Sequence, residues 1–252
     1  MASIKSKEEI ELIRESCRIV SEVLKLVGNR VQPGVTTIEL DTLAEDYIRS
    51  MGGIPAFKGY GSQKNNLFPA TLCTSVDSEV VHGIPGKRVL REGEIVSIDV
   101  GVKKGGYFGD GAWSFAVGTI SAEKRRLMEV TREALMNGIE QAVAGNRVHD
   151  ISHAVQLHVE SNGFSVVREL VGHGVGKELH EPPNVPNFGK PGTGPELKIG
   201  MTLAIEPMVN AGDFQVNVEA DGWTVVTRDG RPSAHFEQTI AIADGKPDIL
   251  TE

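Results

Sequence analysis

Near the N-terminus apolar residues recur at helical spacing, with Ile10, Ile13, Cys17, Val20, Leu24 and Val27 on one stripe, as expected of an amphipathic helix that buries one face. Ser6-Lys-Glu-Glu9 in front of it is a capping-box pattern. A helix is therefore predicted from Ser6 to about Asn29, with Pro33-Gly34 as the stop. Thr36-Thr-Ile-Glu39 is a second such box and predicts a helix ending at Gly52-Gly53. From Thr74 to Val117 the period changes to short runs rich in Val and Ile. They are broken by His82-Gly-Ile-Pro-Gly86, Glu92-Gly93 and Lys104-Gly-Gly106, the pattern of consecutive strands and turns. Ser121 opens another helical stripe, through Leu127, Val130, Ala134, Gly138 and Ala142, closed by Gly145-Asn146. A shorter helix on Ile151, Ala154, Val155, His158 and Val159 ends at Gly163, and strand-like text resumes to the C-terminus.

The order helix, helix, strands thus occurs twice, and the halves match locally. Leu90–Val102 lies over Leu197–Val209, which puts Asp99 on Glu206. Upstream, His82 falls on His173; downstream, Asp110 falls on Glu237. This predicts a single α/β (α+β) domain over residues 1–252, built of related halves at about 1–120 and 121–252, with a site where they face each other.

Composition narrows the class. The 252 residues are 40% hydrophobic and 24% charged, as in ordinary globular chains, and no apolar run approaches the roughly 18 residues of a membrane span. Two cysteines, Cys17 and Cys73, are too few for a disulfide framework. With a polar N-terminus that does not read as a signal peptide, a cytoplasmic location is expected. A net charge of −8 argues against a nucleic-acid surface and favours a cationic partner such as a free amine.

In Glu94–Val102, strand alternation puts Val96, Ile98, Val100 and Val102 on one face and Ser97, Asp99 and Gly101 on the other. In the second half Leu203 and Ile205 share a face opposite Ala204, Glu206 and Met208. Four acids, Asp99, Asp110, Glu206 and Glu237, converge with no Lys or Arg on the same strand faces. Buried carboxylates need a counter-charge. A mixed carboxylate and imidazole set suits first-row divalent metals, and the number of acids favours two ions. His149, His153 and His158 read as structural or solvated, His158 on the packing face of its helix. His235 shares a strand face with Glu237 and is a candidate neighbour of that acid. Gly-His-Gly-Val-Gly lacks the spacing of a nucleotide loop.

With these residues in view, nearly the whole chain resembles the methionine aminopeptidases, in the short type-1 form without an N-terminal zinc-binding extension or the type-2 insert. The stretches that carry the resemblance are residues 75–85, 93–99, 108–110, 172–183, 200–208 and 233–239. It implies the pita-bread fold shared with prolidases, a curved antiparallel sheet covered by helices in two pseudo-two-fold-related halves. It also implies hydrolytic removal of the initiator methionine. By motif, Asp99 would hold one metal, Asp110 and Glu237 would bridge to a second, and His173 and Glu206 would complete it. The nucleophile would be a water or hydroxide between the ions, its proton managed by Glu206. His180 would hydrogen-bond the scissile carbonyl and His82 would contact the peptide beyond the first residue. Tyr60, Phe68, Cys73 and Trp223 would form the methionine pocket, and the glycines between His173 and His180 would let the chain pass close to the peptide. Mn, Fe, Co and Zn all suit such ligands. The expected partners are the N-terminal methionine of nascent polypeptides and, as a candidate, the ribosome; no nucleic acid or membrane is expected, and the enzyme is expected to be a monomer. The chain departs from the family pattern at Asp77, Leu179 and Gln238, the last expected to alter the surroundings of the metals, and in the longer stretch 61–73. Another pita-bread peptidase such as a prolidase, or an inactive protein-binding relative, are the alternatives.

Overall fold

The computed structural model describes residues 3–62 and 65–252; Gln63 and Lys64, inside the longer stretch noted above, lie outside the described residues. The first helix, α1 (Lys7–Gly28), begins at the Ser6 capping box, and α2 (Thr37–Ser50) begins at the Thr36 box, both with reciprocal hydrogen bonds in place. The second helix pair is α3 (Ala122–Glu140) and α4 (Val148–Ser161). In α3 the helix stops short of the predicted Gly145-Asn146. Gly145 N–H donates to Leu197 O and Leu197 N–H to Asn146 O, which draws the chain out of the helix toward a second segment.

The strands are β1 (Ile54–Pro55), β2 (Leu72–Val76), β3 (Glu79–Val81), β4 (Ile95–Lys104), β5 (Tyr107–Ala116), β6 (Ser165–Val166), β7 (Val171–Gly174), β8 (Glu181–Pro186), β9 (Thr202–Ile205) and β10 (Met208–Asn210). They continue with β11 (Val216–Val218), β12 (Val225–Thr227), β13 (Ser233–His235), β14 (Glu237–Ala241) and β15 (Asp248–Ile249). The main sheet runs β1-β4-β5-β14-β9-β7-β8, with β2 paired to β4 and β15 to β14. All its pairings are antiparallel. Strands from both sides of residue 120 meet in it at the β5–β14 pair.

Helices cover one face. Val20, Val27, Leu40 and Ile48 of α1 and α2 bury against Val96, Ile98, Val100 and Val102 of β4. Leu127, Leu135, Ile151 and Val155 of α3 and α4 bury against Leu203, Ile205 and Ile240. The apolar strand positions are thus taken up by helices, and the alternate positions Asp99 and Glu206 are left for the other face. His158 lies at the solvent edge of the α3–α4 contact rather than in the core, its Nε2 3.0 Å from Glu133 Oε2. Among the described residues no helix is long and apolar enough to cross a membrane.

Strand register revises one correspondence between the halves. Ser75 stands opposite Ser97, two residues before Asp99, and His173 stands opposite Ala204, two residues before Glu206. Ser75, not His82, therefore occupies the place of His173. His82 follows β3 in a separate three-stranded sheet, with φ of 60°.

Candidate metal centre and substrate cavity

Asp99 and Glu237 both pair with Ala112, from β4 and β14 on either side of β5. Asp110, two residues along β5, points to the same face. Oxygens of Asp99, Asp110 and Glu237 lie within 4.8 Å of one another, and so do ligand atoms of His173, Glu206 and Glu237. The two groups share Glu237. His173 Nε2 is 3.5 Å from Glu206 Oε1 and 3.8 Å from Asp110 Oδ2. Its Nδ1–H donates to Gly174 O at 3.0 Å, which leaves the Nε2 lone pair facing the acids. All five predicted ligands come together. Geometry alone also places a ring nitrogen of His180 within 4.8 Å of Asp110 and His173 donors.

The electrostatics of the cluster are those of carboxylates without a counter-charge. Among the described residues no Lys or Arg lies within 4.0 Å of the four acids; the basic groups that do are His173 and His235. Burial pushes the Asp99 carboxyl from 3.8 up to about 7. Burial, then the charge of Asp99, lifts Asp110 and Glu206 well above the usual carboxylate range. Glu237 is lifted by burial and by Asp110. His173 is pushed down to about 3, chiefly by burial. Asp99 Oδ1 and Glu237 Oε1 are buried with no hydrogen-bond partner among the described residues. An unpaired buried oxygen costs about 1–3 kcal/mol, more when charged. A divalent cation, which prefers oxygen and imidazole donors, fits this donor set.

His235 Nε2 is also buried without a hydrogen-bond partner among the described residues, 3.8 Å from Glu206 Oε2. It is a closer neighbour of Glu206 than of the Glu237 beside it in sequence, because the chain changes sheets between them at Phe236.

Above the acids is a cavity of about 260 Å³. It is smaller than the roughly 300–1,000 Å³ of drug-sized sites, so it suits one residue and its scissile bond. Tyr60, Phe68, Cys73, Trp223, His82 and His180 all line it. Phe68 meets Trp223 edge-on at 5.3 Å and Phe57 at 6.5 Å. The Tyr60 hydroxyl lies 2.5 Å from His180 Nδ1. Burial and the charge of Asp99 hold the Cys73 thiol far above its ordinary range, so it presents a neutral wall rather than a nucleophile.

Phe57, Leu170 and Val171 also line the cavity and carried no signal in the sequence. Phe57 lies outside the regular elements, and Leu170 and Val171 enter β7 with no periodicity to orient them. Asp77 and Gln238 do not line it. Asp77 Oδ1 accepts from Ile95 N–H and from Lys124 Nζ at 2.6 Å, and Gln238 Oε1 accepts from Thr251 Oγ1 at 2.5 Å. The Gln238 side chain is thus turned to Thr251 and does not line the cavity. The glycines after His173 face neighbouring chain rather than the cavity: a Cβ on Gly174 would meet Pro182 O at 2.7 Å, and one on Gly176 would meet Glu181 Oε1 at 2.5 Å.

Comparison with known proteins decides the family, since residues 11–244 match the model of metallopeptidase family M24. The chain belongs to metallopeptidase family M24. The methionine aminopeptidase of Clostridium acetobutylicum is 53% identical, with 100% of this chain and 99% of that one covered. The crystal structure of methionine aminopeptidase from Thermotoga maritima superposes with a TM-score of 0.97 at 46% identity, covering all of both chains. Prolidase from Pyrococcus furiosus shares the fold, with a TM-score of 0.80 at 23% identity over 99% of this chain and 65% of its own. The expected pita-bread architecture is therefore present, and M24 membership makes the chain a metal-dependent peptidase.

Proposed function

We propose that the chain is a methionyl aminopeptidase that removes the N-terminal methionine of new proteins, working in the cytoplasm as one catalytic domain of halves 1–120 and 121–252. Full-length identity to methionine aminopeptidases carries the reading. The overlapping donor groups, which meet at Glu237, support two divalent ions rather than one. Asp99, with Asp110 and Glu237, would hold one; His173 and Glu206, with the same two bridging acids, would hold the other. Bound there, such ions supply Lewis-acid polarisation of a carbonyl and a lowered pKa for water.

The chain's own groups do the rest. Glu206, at the cavity and close to His235 Nε2, would take a proton from the attacking water and return it to the leaving amine. With His180 Nδ1 as the unprotonated ring nitrogen, the Tyr60 hydroxyl, held protonated by burial and by the charge of Asp110, would donate to it. That leaves His180 Nε2–H to donate to the scissile carbonyl oxygen as charge develops on it. His82, kept neutral by burial and by His180, contacts the peptide beyond the first residue. Phe68, Trp223, Tyr60 and Cys73 wall the methionine side chain, whose sulfur suits an aromatic surround. Acidic groups near Asp99 favour a free α-amine, which only a chain terminus offers.

The test is hydrolysis by the Mn-loaded protein of Met-Ala-Ser, N-acetyl-Met-Ala-Ser and Ala-Pro. Cleavage of the first alone is expected. Preference for Ala-Pro would make the chain a prolidase, and no cleavage of any would leave a protein-binding relative.

A further inference from the structure

His180 sits on the six-residue turn 175–180 between β7 and β8, and what holds that turn from behind is the N-terminal segment. Lys5 is buried, 7% exposed, although it precedes the first helix. Its N–H donates to Gly200 O at 2.8 Å, and its Nζ reaches across to Glu181 Oε2 at 2.6 Å. Glu181 directly follows His180, and its other oxygen folds back to accept from Lys177 N–H at 2.8 Å and Glu178 N–H at 3.2 Å. Burial alone would raise the Glu181 carboxyl, but Lys5 and these amides keep it below its ordinary value. The carboxylate is thus a knot that ties both ends of the turn to Lys5. Gly176 leaves the room, since a Cβ there would come within 2.7 Å of Lys5 Cε.

Other contacts fix the turn without reaching His180. Phe108 N–H donates to Gly176 O at 2.8 Å, and Lys177 Nζ lies 3.3 Å from Glu9 Oε1, which also accepts from the Tyr107 hydroxyl. On the cavity side Leu179 is 3% exposed among Phe57, Phe68 and Cys73. Of the two residues bonded to His180 in the chain, Leu179 is held by apolar contact and Glu181 by hydrogen bonds, and with the Tyr60 hydroxyl on Nδ1 they set the height of the ring over the acids.

We infer that Lys5 is a positioning residue for the reaction: through Glu181 it holds His180 at the distance its donor must keep from the scissile carbonyl. This rests on the reading of His180 as that donor. Misplacement of such a group by about 1 Å lowers turnover by up to about a hundredfold.

A merely structural ion pair would change stability and leave turnover per folded molecule alone. The experiment is a double-mutant cycle of Lys5→Met and His180→Ala, with kcat and KM for Met-Ala-Ser and bound Mn measured in all four proteins. Lys5→Met is expected to lower kcat by about ten- to a hundredfold, with KM and bound Mn within about twofold, and to have no further effect once His180 is alanine. Wild-type turnover in Lys5→Met, or a loss that multiplies with that of His180→Ala, overturns the proposal. Wild-type turnover in His180→Ala instead overturns the reading of His180 beneath it. Should Lys5→Met fail to fold, Glu181→Gln in place of it, with Lys5 intact, is judged by the same outcomes.

Discussion

Asp99 and Glu237 stand on either side of Ala112, on the two strands that flank β5, and each keeps a buried carboxylate oxygen without a hydrogen-bond partner among the described residues. A fold that places such a pair across its central strands, with Asp110 beside them, is arranged around a cation.

Asp110→Asn retains the shape of the side chain and removes the charge proposed to bridge the two ions. Loss of several kcal/mol of metal-dependent stabilisation is expected, or about 10²–10⁴ in kcat/KM for Met-Ala-Ser, read by steady-state kinetics at saturating Mn. A change below threefold would count against Asp110 as a shared ligand.

Metal removal should make the contribution of Asp99 to stability depend on pH in an unusual direction. In the metal-free protein the Asp99 carboxyl titrates near 7 instead of 3.8 because it is buried. A raised carboxyl binds more protons folded than unfolded between those values. Its contribution is therefore full below about pH 4 and is lost as pH rises through about 7. His82, His173 and His235, pushed down by burial, act in the opposite sense, so the measurement is a difference: in EDTA-treated protein the Tm of Asp99→Asn should rise relative to that of the unaltered chain between about pH 4 and pH 7. An equal slope in the variant would place the effect elsewhere.

Asp41 tests how the cavity wall is held. Buried at 5% exposure, its Oδ1 accepts from Thr71 N–H at 2.9 Å and Leu72 N–H at 2.8 Å, which fixes the start of β2 and so Cys73. Asp41→Ala leaves two buried donors unmatched and is expected to cost about 2–4 kcal/mol in urea unfolding. Asp41→Asn keeps an acceptor oxygen and should cost less than half as much; equal losses would contradict this role.

Trp223 lines the cavity and packs on Phe68, and is proposed to bound the methionine side chain on one side. Trp223→Ala should lower kcat/KM for Met-Ala-Ser about 10–100-fold, mostly through KM, in keeping with about 1.5–3 kcal/mol of lost apolar contact. A loss confined to kcat would instead tie Trp223 to the chemistry.

Much of this was legible in the chain because period and burial are local. The stripe through Cys17, the two capping boxes and the alternation around Asp99 predict α1, α2 and the faces of β4 without reference to the rest of the molecule. Pairing across the sheet is not local. The match of His82 with His173 failed because register, which sets Ser75 in the equivalent place, is decided between strands distant in sequence. Phe57 and Leu170 reach the cavity from irregular segments that no period marks. Gln238 was legible as a departure from the family pattern but not as a side chain bonded to Thr251 and aimed off the site.

The acids are proposed to form one site for two ions joined through Glu237. Calorimetric titration of Mn²⁺ into EDTA-stripped protein, beside Glu237→Ala, measures it most directly. About two ions per chain are predicted for the unaltered protein, and no more than one, bound more weakly, for Glu237→Ala. Equal stoichiometry and affinity in the two proteins would contradict it.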